Sequence, residues 1–288
     1  MRNYLELLES ILSRGTVKPN RTGVLAKSLT GQTLTFENIA AEFPLVTTRK
    51  IPFRLVFEET MMFLCGKTQT KDALESKNIL IWQKNTSRSF LDSRGLKHLA
   101  VGDMGLGYGH QIRNFGSSGY DQLEALLVGL KLNPCDRRHV VTHWCPPELD
   151  QAALPPCHLL HMYSVDTANG VSYLDSSFVM RSSDAFHGLP FNIASYALIN
   201  HLIAECCGFV PRKLVYFGHD VHIYDSHRAA VETLLTRTPR RPGTLLLKKS
   251  LYRESVAETL KQLESLTIDD VEVAGYTCCD AIKVDMVV

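Results

Sequence analysis

Apolar residues in this chain recur in blocks of changing period, and each change marks an element. Leu5, Leu8, Ile11 and Leu12 put one apolar face on an opening helix, and Gly15 is its stop. Residues 24–36 alternate through Val24, Leu29, Leu34 and Phe36 about Thr30-Gly31, which predicts a hairpin. A strongly apolar helical run covers 53–64, with Gly66 to end it. Residues 83–106 mix polar and glycine positions and read as a long surface excursion. Leu123, Leu126, Leu127 and Leu130 mark an amphipathic helix that Asn133-Pro134 ends. Strands are predicted over 140–142, 159–165 and 171–180, the last two joined by a tight turn at Asn169-Gly170. A long apolar helix over 192–207 ends at Gly208. A strand over 214–217, a helix from near His222 to Leu235 and a Pro/Arg-rich connection with a strand over 236–247 follow. No repeat, low-complexity tract or Gly/Ser linker divides the chain, so one mixed α/β (α+β) domain over 1–288 is expected.

Composition narrows this picture. The 288 residues are 45% hydrophobic and 21% charged with net charge +1, an ordinary soluble balance with material for a large core. Near-neutral charge gives bulk electrostatics no hold on DNA or a membrane surface. No apolar run is long enough to cross a bilayer. Acidic residues interrupt the apolar N-terminal stretch, unlike a signal peptide. The cysteines are Cys65, Cys135, Cys145, Cys157, Cys206, Cys207, Cys278 and Cys279, with no Cys-x-x-Cys pair. They suggest neither a disulfide framework nor a metal site, and a reduced, cytoplasmic setting is expected.

Candidate chemistry centres on Ala153-Leu-Pro-Pro-Cys-His158. Pro155 and Pro156 stiffen the lead-in to Cys157. His158 and an apolar run follow, as for a thiol at the mouth of a buried strand. Such a thiol is either a packed small hydrophobe or a nucleophile. Glu58 and Glu59 lie within the apolar run of 53–64. Either both share a polar stripe, or one faces inward, where burial would raise its pKa into the range of acid–base work. Arg21, Arg137, Arg138 and Arg181 stand beside structural breaks, as surface cations or phosphate ligands. Asn192, after Gly188-Leu-Pro-Phe, is an N-cap or an amide that reads a pyrimidine edge. His222 and Tyr224 lie two apart, on one face if that segment is extended, where together they suit a sugar hydroxyl.

In order along the chain, these segments resemble the thymidylate synthase family, which includes the pyrimidine-nucleotide hydroxymethylases. The matching stretches are Arg21-Thr-Gly, Phe43-Pro-Leu-Val-Thr-Thr-Arg-Lys, Ile81-Trp82, Tyr108-Gly-His-Gln-Ile-Arg and 133–138. The cysteine segment, Arg181-Ser-Ser-Asp184, Gly188-Leu-Pro-Phe-Asn-Ile-Ala-Ser-Tyr196, His222-Ile-Tyr224 and Ala281-Ile-Lys complete the set. The resemblance implies a large mixed, twisted sheet packed by helices and a sheet-to-sheet homodimer. It implies that Cys157 attacks C6 of a pyrimidine nucleotide monophosphate, so that C5 takes the one-carbon unit of 5,10-methylenetetrahydrofolate. Glu59 would be the acid–base residue working through water, and Tyr108 and His158 would line the reacting face. Arg21, Arg181 and Ser182 would hold the phosphate, completed by Arg137 and Arg138 donated across the dimer. Asn192 would read the base, and His222 with Tyr224 the sugar. Trp82, Asp184, His187, Gly188 and the tail ending at Val288 would meet the reduced folate.

The chain departs from the family pattern on the folate side. Arg49 stands for a usual Lys, Met62-Phe63-Leu64 for Trp-Phe-Leu, and His187 for an apolar residue. Gly105-Leu-Gly-Tyr-Gly-His-Gln-Ile-Arg113 replaces Gly-Pro-Val-Tyr-Gly-x-Gln-Trp-Arg, and Cys278-Cys279-Asp280 replaces Pro-His-Pro. In the nucleotide half only Met180, for Gln, differs. These changes point first to hydroxymethylation of dUMP, with His187 binding or activating a water that adds to the C5 methylene. Thymidylate synthesis stands beside that outcome. Hydroxymethylation of CMP or dCMP, and an idle nucleotide-binding homologue, stay open. Asn192 favours uracil over cytosine.

Overall fold

The computed structural model describes residues 1–287; Val288 lies outside the described residues. The helices are α1 (Arg2–Arg14), α2 (Phe53–Leu64), α3 (Thr70–Ala73), α4 (Arg88–Ser93), α5 (Tyr108–Arg113), α6 (Gln122–Leu132), α7 (Leu189–Cys207), α8 (Arg228–Leu235) and α9 (Val256–Glu264). The strands are β1 (Thr16–Lys18), β2 (Ala26–Phe36), β3 (Val140–Thr142), β4 (His158–Ala168), β5 (Val171–Asp184), β6 (Val210–Tyr224), β7 (Thr244–Leu247) and β8 (Val271–Ala274). The first six form one sheet in the order β1-β2-β6-β5-β4-β3, and β7 pairs with β8. Only β5 and β6 run parallel, joined through α7; the other neighbours are antiparallel. The expected mixed α/β architecture is present.

Register explains how the two sheet faces differ. Val141, His161, Phe178, Tyr216 and Leu34 are successive cross-strand partners, and all are buried. One residue along, Thr142, Leu160, Val179, Phe217 and Thr33 are partners in the same way, and all are exposed or half-buried. Strand side chains alternate between faces, so one face supplies the core and the other stays open. Against the inner face lies α7, in which 16 of 19 residues are buried, the pattern of a core helix rather than a surface one. Each fully buried Leu or Ile there contributes roughly 1.5–3 kcal/mol. Pro190 occupies its first turn, and Gly208, at φ +73°, closes it.

Four expected boundaries are corrected. Residues 26–36 form one strand, not a hairpin, because β6 pairs with β2 along its length, past Thr30-Gly31; the real hairpin joins β1 to β2. Residues 83–106 are not merely a surface excursion. Arg88 donates to the Leu96 and Leu99 carbonyls, and Leu91 and Leu96 are buried with Ala153. The segment near His222 is strand, since β6 runs to Tyr224 and helix resumes only at Arg228. Finally, α7 begins at Leu189, so Asn192 sits inside its first turn and is not its N-cap. Among the described residues, no helix is long and apolar enough to cross a membrane.

Candidate active site

The sheet gathers the candidate residues at one edge. Parallel β5 and β6 both end there, in Arg181–Asp184 and Asp220–Tyr224. Antiparallel β4 and β2 begin there: His158 pairs with Met180, Ser28 with His222 and Ala26 with Tyr224. A register shift between His158 and Leu160 turns the start of β4 out of the ladder. These ends border a cleft of about 1060 Å³.

Cys157 stands at its wall just before β4, as its stiffened lead-in predicts. The Cys157 amide donates to Tyr108 Oη at 2.8 Å, and its carbonyl accepts from the Arg181 amide at 2.9 Å. The Arg181 guanidinium donates to the carbonyls of Pro156 and Pro155, each at 2.8 Å. Arg181 thus clamps the loop that carries Cys157, a role the sequence did not suggest. Burial pushes the Cys157 thiol up, and the charges of Arg181 and Arg21 oppose that shift. The resting group is a thiol whose ionisation these cations assist.

The two adjacent glutamates separate. Glu58 pairs with Lys77. Glu59 lines the cleft and accepts from Trp82 Nε1 at 2.7 Å. Burial raises Glu59 to about 7, with the Trp82 bond opposing. A carboxyl that titrates there can both give and take a proton near neutrality. Tyr108 stacks on Phe63 with ring centroids 4.9 Å apart and meets His158 at 5.1 Å. Burial, with His143 adding to it, lowers His158 to about 3, so the ring is neutral. Asn192 Nδ2 donates to His158 Nε2 at 3.0 Å, and His158 Nδ1 meets Tyr196 Oη at 3.1 Å. Asn192 and Tyr196 are four apart on α7 and hold the imidazole between them, a spacing visible in the sequence. Asn192 keeps its oxygen and a second N–H for a ligand.

His222 Nδ1 meets Asp220 Oδ1 at 3.1 Å, and the same oxygen accepts from Ser28 Oγ at 2.9 Å. Lys18 lies 3.5 Å from the other oxygen. Burial would raise Asp220, but Ser28 and His222 hold it below the usual carboxylate range. The His222 and Tyr224 rings meet at 4.9 Å, on the extended segment that the sugar-binding pattern requires.

Beside His222 across the β5–β6 ladder, Asp184 Oδ1 accepts from the amides of Phe186 at 3.0 Å and His187 at 2.9 Å. His187 lines the cleft, and burial holds its ring neutral. Its Nδ1 is buried without a partner among the described residues. The tail packs along 46–51: Tyr276 donates to the Val46 carbonyl at 2.7 Å, and the Cys279 amide to that of Thr47 at 2.8 Å. Met286 and Val287 reach the cleft.

Of the predicted residues, Arg21, Glu59, Trp82, Tyr108, Cys157, His158, Arg181, Ser182, Asp184, His187, Gly188, Asn192, His222 and Tyr224 line this one cleft. Arg137 and Arg138 do not; they are exposed just before β3, with Arg138 paired to Asp136 at 2.7 Å. The sequence missed Asn85, Trp144 and Ser28 at the wall. Nothing in their spacing marks them, since turns and the cross-strand register bring them in.

Comparison with known proteins gives the family. The thymidylate synthase family model matches residues 2–288. A bifunctional dihydrofolate reductase-thymidylate synthase from Leishmania major is 41% identical, covering 100% of this chain and 55% of that protein. A probable thymidylate synthase from Schizosaccharomyces pombe is 38% identical over 98% of this chain and 47% of its own length. The chain thus spans about half of these two relatives, but 96% of a thymidylate synthase 1/2 from Encephalitozoon cuniculi, at 36% identity. The chain belongs to the thymidylate synthase family, a family of one-carbon transferases.

Proposed function

We propose that this chain reductively methylates dUMP to dTMP with 5,10-methylenetetrahydrofolate, the second of the two leading outcomes its sequence leaves open. The observation that carries it is the convergence of Cys157, Glu59 and Asn192 on one cleft in a chain whose relatives at 36–41% identity are named thymidylate synthases. Cys157 adds to C6 of the base, which makes C5 nucleophilic. Asn192 matches uracil: its oxygen accepts from N3–H and its N–H donates to O4. Glu59, poised near 7, moves protons at the base through water. Arg21, Arg181 and Ser182 hold the phosphate, and His222 and Tyr224 the 3′-hydroxyl.

The other wall suits a reduced folate. Ile81, Trp82 and Phe191 offer flat apolar surfaces, and Asp184 a carboxylate for ring N–H groups. When bound, the folate supplies both the carbon unit and the hydride that reduces it. Gly188 and the tail residues Met286 and Val287 border the same space, and closure there excludes water. His187 favours methyl over hydroxymethyl. Among the described residues its Nδ1 has no acceptor, so the cheaper tautomer there leaves that nitrogen a lone pair and protonates Nε2. Such a ring offers the cleft a donor rather than a base for water.

The working unit in this proposal is a homodimer joined through the open sheet face. Phe217 is 41% and Val140 44% exposed there, beside half-buried Met162, Val179 and Val215. Arg137 and Arg138, at the rim of that face, then reach the partner's phosphate site. The test is mass analysis of the nucleotide formed from dUMP and methylenetetrahydrofolate. Product dTMP is expected; 5-hydroxymethyl-dUMP, or no product, overturns the proposal.

A further inference from the structure

His227 has no part in the chemistry above, yet it is buried beside the cleft with a polar group facing each ring nitrogen. It precedes α8 and is 1% exposed. Its Nε2 lies 2.8 Å from the Asp285 carbonyl, in the tail two residues before the last described one. Its Nδ1 lies 3.6 Å from Asp184 Oδ2. The ring stacks on His187, with centroids 6.1 Å apart and planes at 28°.

We propose that His227 is a positioning residue that pins the C-terminal tail over the cleft. A carbonyl can only accept, so Nε2 carries a proton. Were the ring neutral, Nδ1 would then turn a lone pair toward the Asp184 carboxylate. The geometry therefore selects the imidazolium, bound to a carbonyl on one side and attracted to a carboxylate on the other. Asp184 also accepts the amides of Phe186 and His187, so one ion pair ties the tail to the loop leading into α7. Met286 and Val287, just beyond the pinned carbonyl, line the cleft.

The groups facing His227 are Asp184, which favours the charged ring, Arg49, which disfavours it, the neutral His187 ring, and Tyr224, edge-on at 5.8 Å. Burial also works against the charge, yet Asp184 and the Asp285 carbonyl carry the balance, and the pKa lies above the ordinary histidine value. The pin is therefore strongest below that raised value and weakens as pH rises through it, when the ion pair to Asp184 is lost.

The proposal rests on the folate-side reading of this wall, but its test needs no turnover. Amide hydrogen exchange is followed over residues 277–287 in the full chain with dUMP present. His227→Phe should speed exchange there about tenfold, the equivalent of one charge-assisted hydrogen bond, while α7 stays protected. His227→Gln, which keeps an N–H for the carbonyl, should recover part of the protection. Unchanged tail exchange in His227→Phe overturns the proposal. Should that variant unfold, the wild-type chain decides. After correction for intrinsic exchange, tail protection that falls between pH 6 and pH 9 supports the pin, and constant protection refutes it. Tail protection that responds while no methylated product forms would sink the catalytic proposal and leave the pin standing.

Discussion

The two halves of the cleft are built differently. The half proposed for the nucleotide rests on strand ends, and its polar groups are matched within the protein. Arg181 holds two carbonyls, His158 lies between Asn192 and Tyr196, and Asp220 links Ser28 to His222. The half proposed for the folate rests on helix ends, a loop and the tail, with Asp184 at the end of β5 its one strand residue. Buried atoms without partners among the described residues are found there, including His187 Nδ1, Arg49 Nε and Arg94 Nε. All the departures from the family pattern but Met180 fall on this second half too. A sheet edge fixes side chains through ladder register, so a change there disturbs several partners at once. A wall made from a tail and a loop can absorb changes such as His187 and Cys278-Cys279 while closing over the same space.

Variants sharpen the contrast. Cys157→Ala should cut turnover by about 10⁴-fold or more while nucleotide still binds; retained turnover would remove the nucleophile assignment. Glu59→Gln should cost about 10²–10⁴-fold in kcat, and the inflection near pH 7 assigned to Glu59 should vanish from the pH–rate profile. The same variant has a stability signature. Glu59 has a raised pKa in the folded state, so the wild-type chain loses stability relative to Glu59→Gln as pH rises from the unfolded carboxyl range to about 7. Denaturant midpoints at pH 4, 6 and 8 would show a constant difference if Glu59 were not buried as described.

Phe217→Asp places a charge on the open sheet face. It should give monomers in sedimentation and raise the dUMP KM by about 10²-fold, as expected for two lost arginine–phosphate contacts. A dimer of unchanged affinity would move the interface elsewhere. Trp82→Phe removes the donor that favours ionised Glu59, so the pH–rate inflection should move upward and kcat fall by about tenfold. The smallest effect is expected from His187→Leu: folate KM within about threefold and methyl product retained. A shift in product ratio would show that His187 does govern the fate of the methylene.

Much of this was legible from sequence where side chains act through local pattern. The prolines before Cys157, the apolar α7 with Gly208 behind it and Asn169-Gly170 between β4 and β5 each carry their own signal. The split between Glu58 and Glu59 was legible only as a question, because helical spacing places adjacent residues apart without saying which faces the cleft. Lys77 and Trp82 decide it, through contacts 19 and 23 residues distant. The misplaced hairpin at Thr30-Gly31 has the same cause: local turn chemistry was outweighed by pairing with β6, nearly 200 residues on. His227 left no trace in the pattern, since its partners are a carboxylate on β5 and a carbonyl of the tail.

The most direct test of methyl transfer follows the hydride. Methylenetetrahydrofolate carrying deuterium at the hydride-donating carbon of its pterin ring would be turned over with dUMP and the nucleotide product weighed. A singly deuterated methyl group, with one dihydrofolate formed per nucleotide, is the predicted result. An undeuterated product carrying an additional oxygen, with tetrahydrofolate released, would contradict it.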